Sequence, residues 1–171
     1  MSNFFSKELL NKVRTNNSFL NTLNESISEK KWMSHSHECN VFLSHKHSDI
    51  KILENVIFLL KNLNSSVYVD WNDEGMPSTT SRYTAMRIKQ KIRECNKFIL
   101  LATEDAIASK WCNWELGYGD AYHYINNIAI MPITEKTDDI FSGNEYLNIY
   151  PVIKSEFNHS SNFILWPKKS T

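Results

Sequence analysis

From Cys39 onward, short apolar runs alternate with stretches whose apolar residues recur at helical spacing, and no other feature of the chain narrows its possible folds as much. "CNVFLS" (39–44), "SVYVD" (66–70), "KFILLAT" (97–103), "NIAIMPI" (127–133) and "NFILW" (162–166) read as strands. Between them, "IKILENVIFLLKNLN" (50–64) carries Leu53, Val56, Ile57, Leu60 and Leu63 on one stripe. "SRYTAMRIKQKIREC" (81–95) turns Ala85, Ile88, Ile92 and Cys95 inward, and "SKWCNWELGYGDAYHYI" (109–125) is a helix that Ser109 can cap. Strand and helix in strict alternation, with short links, build a parallel sheet covered on both faces. Right-handed crossovers then predict five strands in the order 2-1-3-4-5. In such a sheet ligands bind at the carboxyl ends of the strands, so the loops after Ser44, Asp70, Thr103 and Ile133 are the ones to watch.

Residues 1 to about 33 read differently, as one or two helices, from Phe5, Leu9, Leu10, Val13, Phe19, Leu20, Leu23 and Ile27. The chain is expected to divide into a helical extension over 1–37 and an α/β domain over 38–171. Its 171 residues suit one domain with a real core. Lys+Arg and Asp+Glu balance at 19 each, so nothing in the charge favours nucleic acid or an anionic membrane as a partner. No apolar run approaches the roughly 18 residues of a membrane span, and "MSNFFSKELLNKVR" lacks the apolar core of a signal peptide. The three widely spaced cysteines, Cys39, Cys95 and Cys112, speak against a disulfide framework and for a reducing cytoplasm.

Two His-x-His pairs, His35/His37 and His45/His47, flank the first strand and raise the question of a metal. The eight residues from His37 to His45 extend over about 25 Å at strand rise. Zinc–nitrogen bonds are about 2.0–2.1 Å, so the pairs cannot share an ion. No C-x-x-C is present, and no metal site is expected. The second pair opens the loop before a helix, where backbone amides suit a phosphate. Lys46 can add charge beside such a phosphate, and Asp49 is expected to cap the helix. The ten-residue loop "WNDEGMPSTT" (71–80) is long for an α/β link, which favours a function for it, and Gly75 and Pro77 would shape its bend.

Three pieces converge: "VFLSHKHSD", a strand entering a Ser-His loop; "VYVDWND", a strand ending in Asp and an aromatic; and "SKWCNWELGYGD", a helix carrying Trp, Trp and Glu. In this order and spacing they resemble a Toll/interleukin-1 receptor (TIR) domain of the bacterial kind, over roughly residues 38 to 166. The resemblance implies a flavodoxin-like three-layer α/β/α fold with a five-stranded parallel sheet. It implies a nucleosidase or cyclase that cleaves the nicotinamide–ribose bond of NAD+, giving nicotinamide and ADP-ribose or a cyclic or conjugated ADP-ribose. NAD+ would be substrate, with no cofactor. Glu115 matches the catalytic glutamate of NAD-cleaving TIR domains. Ser44, His45, Lys46, Asp70, Trp71 and Trp111 would bind the substrate. Trp111 lies four residues before Glu115 and so shares its helix face, and Trp114, three residues from Trp111, diverges toward packing. The family's loop matching 71–80 closes over ligand and contacts neighbouring subunits, which implies a homo-oligomer. Small TIR proteins of antiphage systems such as Thoeris signal to a separate effector protein, and the same role is expected here. The competing readings are a non-catalytic TIR interaction module and, more distantly, a nucleoside deoxyribosyltransferase-like enzyme.

Overall fold

A computed structural model describes residues 4–15, 39–62, 65–76, 79–136, 139, 141, 143–158 and 161–164. The strands are β1 (Phe5–Ser6), β2 (Cys39–Ser44), β3 (Ser65–Tyr68), β4 (Lys97–Ala102), β5 (Ile128–Thr134), β6 (Ser155–Asn158) and β7 (Ser161–Ile164). The helices are α1 (Lys7–Thr15), α2 (Ile50–Asn62), α3 (Arg82–Glu94), α4 (Glu104–Ala108) and α5 (Lys110–Tyr122). Five strands form one parallel sheet in the order β1-β5-β4-β2-β3. Strands β2 to β5 follow the predicted order.

The fifth place is filled otherwise than expected. "NFILW" does not join the sheet: Ser161–Ile164 pairs antiparallel with Ser155–Asn158, with Asn158 opposite Ser161. A two-residue link permits only an antiparallel partner, because a parallel one needs a crossover of a dozen or more residues. The vacant edge is taken by Phe5 and Ser6, which run parallel to Ile133 and Thr134. Residues 5–6, read from the sequence as helix, are therefore strand. Ser6 also starts α1, its hydroxyl accepting from the Leu9 amide at 3.0 Å. Further back along β5, Ile130 bridges Val152. His35 and His37 lie outside the described residues.

Strand parity divides the core into two layers. Val41, Leu43, Ile99, Leu101, Ala129 and Met131 face α1 and α2. Phe42, Phe98, Leu100, Ala102, Ile128 and Ile130 face α3 and α5. The inward stripes of α2 and α3 are largely those read from the sequence, with Leu53, Val56, Leu60, Ile88, Ile92 and Cys95 buried. Helix α5 lies close on β4 because Gly119 has no side chain: a Cβ there would stand 3.1 Å from the Phe98 ring. Glu115, one turn earlier on the same helix face, is thereby pressed toward the carboxyl end of the sheet.

Candidate functional site

Ser44 is the last residue of β2 and follows the parity of Phe42, so its hydroxyl points toward α5. It donates to Glu115 Oε2 at 2.5 Å. Ser109 caps α5 as the sequence implies, accepting from the Cys112 amide. This fixes the start of the helix that carries Glu115. Glu115 is only 3% exposed. Burial raises its carboxyl to about 8, and the nearby Asp70 charge pushes the same way, while hydrogen bonds from Ser44 and Trp111 oppose the shift. A carboxyl kept out of water with few compensating partners marks Glu115 as the candidate reacting group of the site.

His45 is buried behind the turn that carries Asp70. Its side chain is 2% exposed. Nδ1 lies 3.1 Å from the Leu43 carbonyl, and Nε2 stands 3.5 Å from Asp70 Oδ1. A carbonyl can only accept, so Nδ1 carries a proton, and the Asp70 contact is attractive when Nε2 is protonated as well. The imidazole thus braces Asp70 from within. The His45 carbonyl accepts from the Cys112 thiol at 3.3 Å, and burial raises that thiol to about 11. Lys46 is exposed beside it. Asp49 does not serve as the expected cap. It is buried, and its carboxylate accepts from Thr103 Oγ1 at 2.5 Å, joining the loops after β2 and β4.

Asp70 opens a 3-10 turn, Asp70–Asn72, directly after β3. Trp71 in that turn is 42% exposed. Trp111 is half-buried, and its indole lies near enough to Glu115 to favour the ionised carboxylate. The expected divergence of Trp111 and Trp114 is not observed. Their rings stack at 4.9 Å between centroids, and Trp114 stacks in turn on Tyr118 at 6.3 Å. Two long side chains about 60° apart on the helical wheel can still lean together. Lys89 of α3 lies over both Trp114 and Tyr118. One face of Trp111 is therefore used internally. Ser44, His45, Asp70, Trp111 and Glu115 form one connected cluster, with Lys46 and Trp71 exposed in the loops that carry His45 and Asp70.

Sequence reading missed Asp73, whose carboxylate is held by Tyr68, Gly75 and Arg87. Pro77 lies outside the described residues. Among the described residues no three His, Cys, Asp or Glu side chains stand together as a metal site would require, and no helix is long and apolar enough to cross a membrane.

Comparison with known proteins places this geometry in a family. The "TIR domain" family model matches residues 41–157. The "Probable 3' cyclic ADP-D-ribose synthase ThsB'" of Bacillus cereus (strain MSX-D12) is 31% identical over 131 residues, 74% of this chain and 67% of that protein. The TIR domain of the Toll-related receptor TRR-2 from Hydra magnipapillata superposes with a TM-score of 0.50 at 18% identity. The match covers 66% of this chain and 82% of that one, and it is a likeness of fold. With the parallel sheet, the Ser44–Glu115 contact at its carboxyl end and a family match over residues 41–157, the chain belongs to the TIR domain family.

Proposed function

We propose that the protein cleaves NAD+ at the nicotinamide–ribose bond and produces ADP-ribose in a cyclic form. The observation that carries this reading is Glu115, a desolvated carboxyl at the carboxyl end of the sheet, joined to Ser44 and neighboured by Asp70. The relative from Bacillus cereus, named a cyclic ADP-D-ribose synthase, supports the reading. When the bond between ribose C1' and the pyridinium nitrogen breaks, its electron pair goes to nitrogen. Neutral nicotinamide leaves and an oxocarbenium-like ribosyl cation remains. The ionised Glu115 stabilises that cation across a short, water-poor gap. A nucleophile on the same molecule then closes the ring, or water gives linear ADP-ribose, and either loses a proton. The substrate's own positive charge favours the carboxylate, so binding pulls the proton from Glu115.

Ser44 fixes the Glu115 rotamer, and Asp70 faces the ribose hydroxyls. Lys46 and the neighbouring amides hold the diphosphate. Trp111 and Trp71 offer ring faces for the bases. His45 acts through Asp70. The reading extends to a cytoplasmic protein that assembles through its 71–80 loop and passes its nucleotide product to a separate effector in antiphage defence. The non-catalytic interaction module is the alternative. The test is nicotinamide release from NAD+ by wild type and Glu115→Gln, with products identified by mass spectrometry. The variant is expected to lose about 10²–10³ in rate, by analogy with the loss of an oxyanion-hole donor. Equal rates would leave the interaction module standing.

A further inference from the structure

The turn after β3 is held at both ends. At its start, Asp70 meets His45. Three residues on, the Asp73 side chain is 8% exposed and every acceptor lobe is engaged. Tyr68 Oη donates to Oδ2 at 2.7 Å, Arg87 Nε to Oδ2 at 3.1 Å, Arg87 Nη2 to Oδ1 at 3.2 Å, and the Gly75 amide to Oδ1 at 2.9 Å. The Asp73 amide closes the turn onto the Asp70 carbonyl at 3.1 Å. Tyr68 is itself immobilised, its ring stacked on Phe42, which stacks on Phe98. Gly75 runs so close over the pair that a Cβ would stand 3.2 Å from both Arg87 Nη2 and Asp73 Oδ1. Beside these groups lies a cleft of about 360 Å³, lined by Tyr68, Asn72, Asp73 and Arg87 among others, into which the turn has room to relax.

We propose that Asp73 and Arg87 are positioning residues: together they latch the turn to α3 and thereby hold the Asp70 carboxylate beside His45 and Glu115. Arg87 is set by a different helix from the one carrying Glu115, and the Asp70–Asp73 turn is what joins the latch to the site. A guanidinium suits the task because its planar fork meets both carboxylate oxygens, as an ammonium cannot. This inference rests on the reading of Glu115 as the reacting carboxylate, and it is testable apart from that reading.

The groups facing Glu115 are Ser44 from β2, Asp70 from the turn, and Trp111 and Cys112 on its own helix. Of these only Asp70 depends on the latch. Glu115 is to be titrated by carbon-13 NMR of its carboxyl in wild type, Arg87→Ala, Arg87→Lys, Asp73→Asn, Asp70→Asn and the Arg87→Ala/Asp70→Asn double variant. Hydrogen exchange of the Asp73, Gly75 and Met76 amides is followed in each. Arg87→Ala is expected to speed exchange at these amides and to lower the Glu115 midpoint, with Arg87→Lys intermediate. In the Asp70→Asn background, Arg87→Ala should shift the midpoint no further. Where nicotinamide release is measured, kcat/KM should fall about 10- to 100-fold with the loss in kcat, as misplaced groups produce. If Arg87→Ala does not fold, Asp73→Asn and Arg87→Lys carry the same comparison. A Glu115 midpoint unmoved by breaking the latch, or moved equally with Asp70 absent, would overturn the proposal. Absence of NAD+ turnover in wild type would count against the proposed function while the titration still reports on the latch.

Discussion

At the scale of the residue, Glu115 combines two demands that oppose each other. In the proposed role it must be shielded from water to act strongly on a nearby cation, and shielding holds its proton. A carboxyl raised from 4.5 to about 8 binds more protons folded than unfolded. Its contribution to stability is therefore fully present below the unfolded value and is lost as pH rises through the folded value. Thermal melts between about pH 5 and pH 9 should show wild type losing stability over this window. Glu115→Gln, which is neutral throughout, should melt with a flatter profile and be the more stable protein at the alkaline end. The same ionisation should shape activity: kcat/KM should rise with pH to an inflection near that of the free-enzyme carboxyl. A melting profile identical for the two proteins would mean that Glu115 is ionised in the folded chain.

At the scale of the element, the short N-terminal strand and helix contribute to the same core as the central strands. Phe5 and Leu10 are buried with Val41, Leu53 and Met131, and Asn55 of α2 donates to Asn11 of α1 at 3.0 Å. Helix α1 covers a face of the sheet that α2 alone leaves open. Leu10→Ala removes a side chain with no exposed surface and should cost about 2–5 kcal/mol, read by denaturant unfolding. Its effect on nicotinamide release at temperatures well below melting should be small, because α1 lies on the sheet face opposite α5 and Glu115.

At the scale of the whole molecule, Trp71 stands exposed in the turn that carries Asp70, on a surface a second copy could cover. A site completed by a neighbouring copy would then turn over weakly when dilute. Specific activity is expected to climb with protein concentration, and light scattering should report larger species over the same range. Flat specific activity across a wide dilution series would mean that one chain supplies the whole site.

What the sequence by itself determined is local. Apolar periodicity marked strands β2 to β5 and the stripes of α2 and α3, because periods of 2 and 3.6 are imposed by backbone geometry. Ser109 announced the start of α5, and "WCNWELGYG" singled out Glu115. What only the tertiary structure decided depends on which segments meet. "NFILW" has the composition of a buried strand, yet a two-residue link commits it to an antiparallel hairpin, and the sheet edge went to Phe5 and Ser6 from the far end of the chain. Two residues offer no periodicity to read. That His45 faces Asp70 could not be read from the loop alone, since the direction of a loop side chain is set by what packs behind it. Asp73 and Arg87 stand fourteen residues apart, on a turn and a helix. Neither is unusual in its own window, and their pairing arises only where α3 folds back against the end of β3.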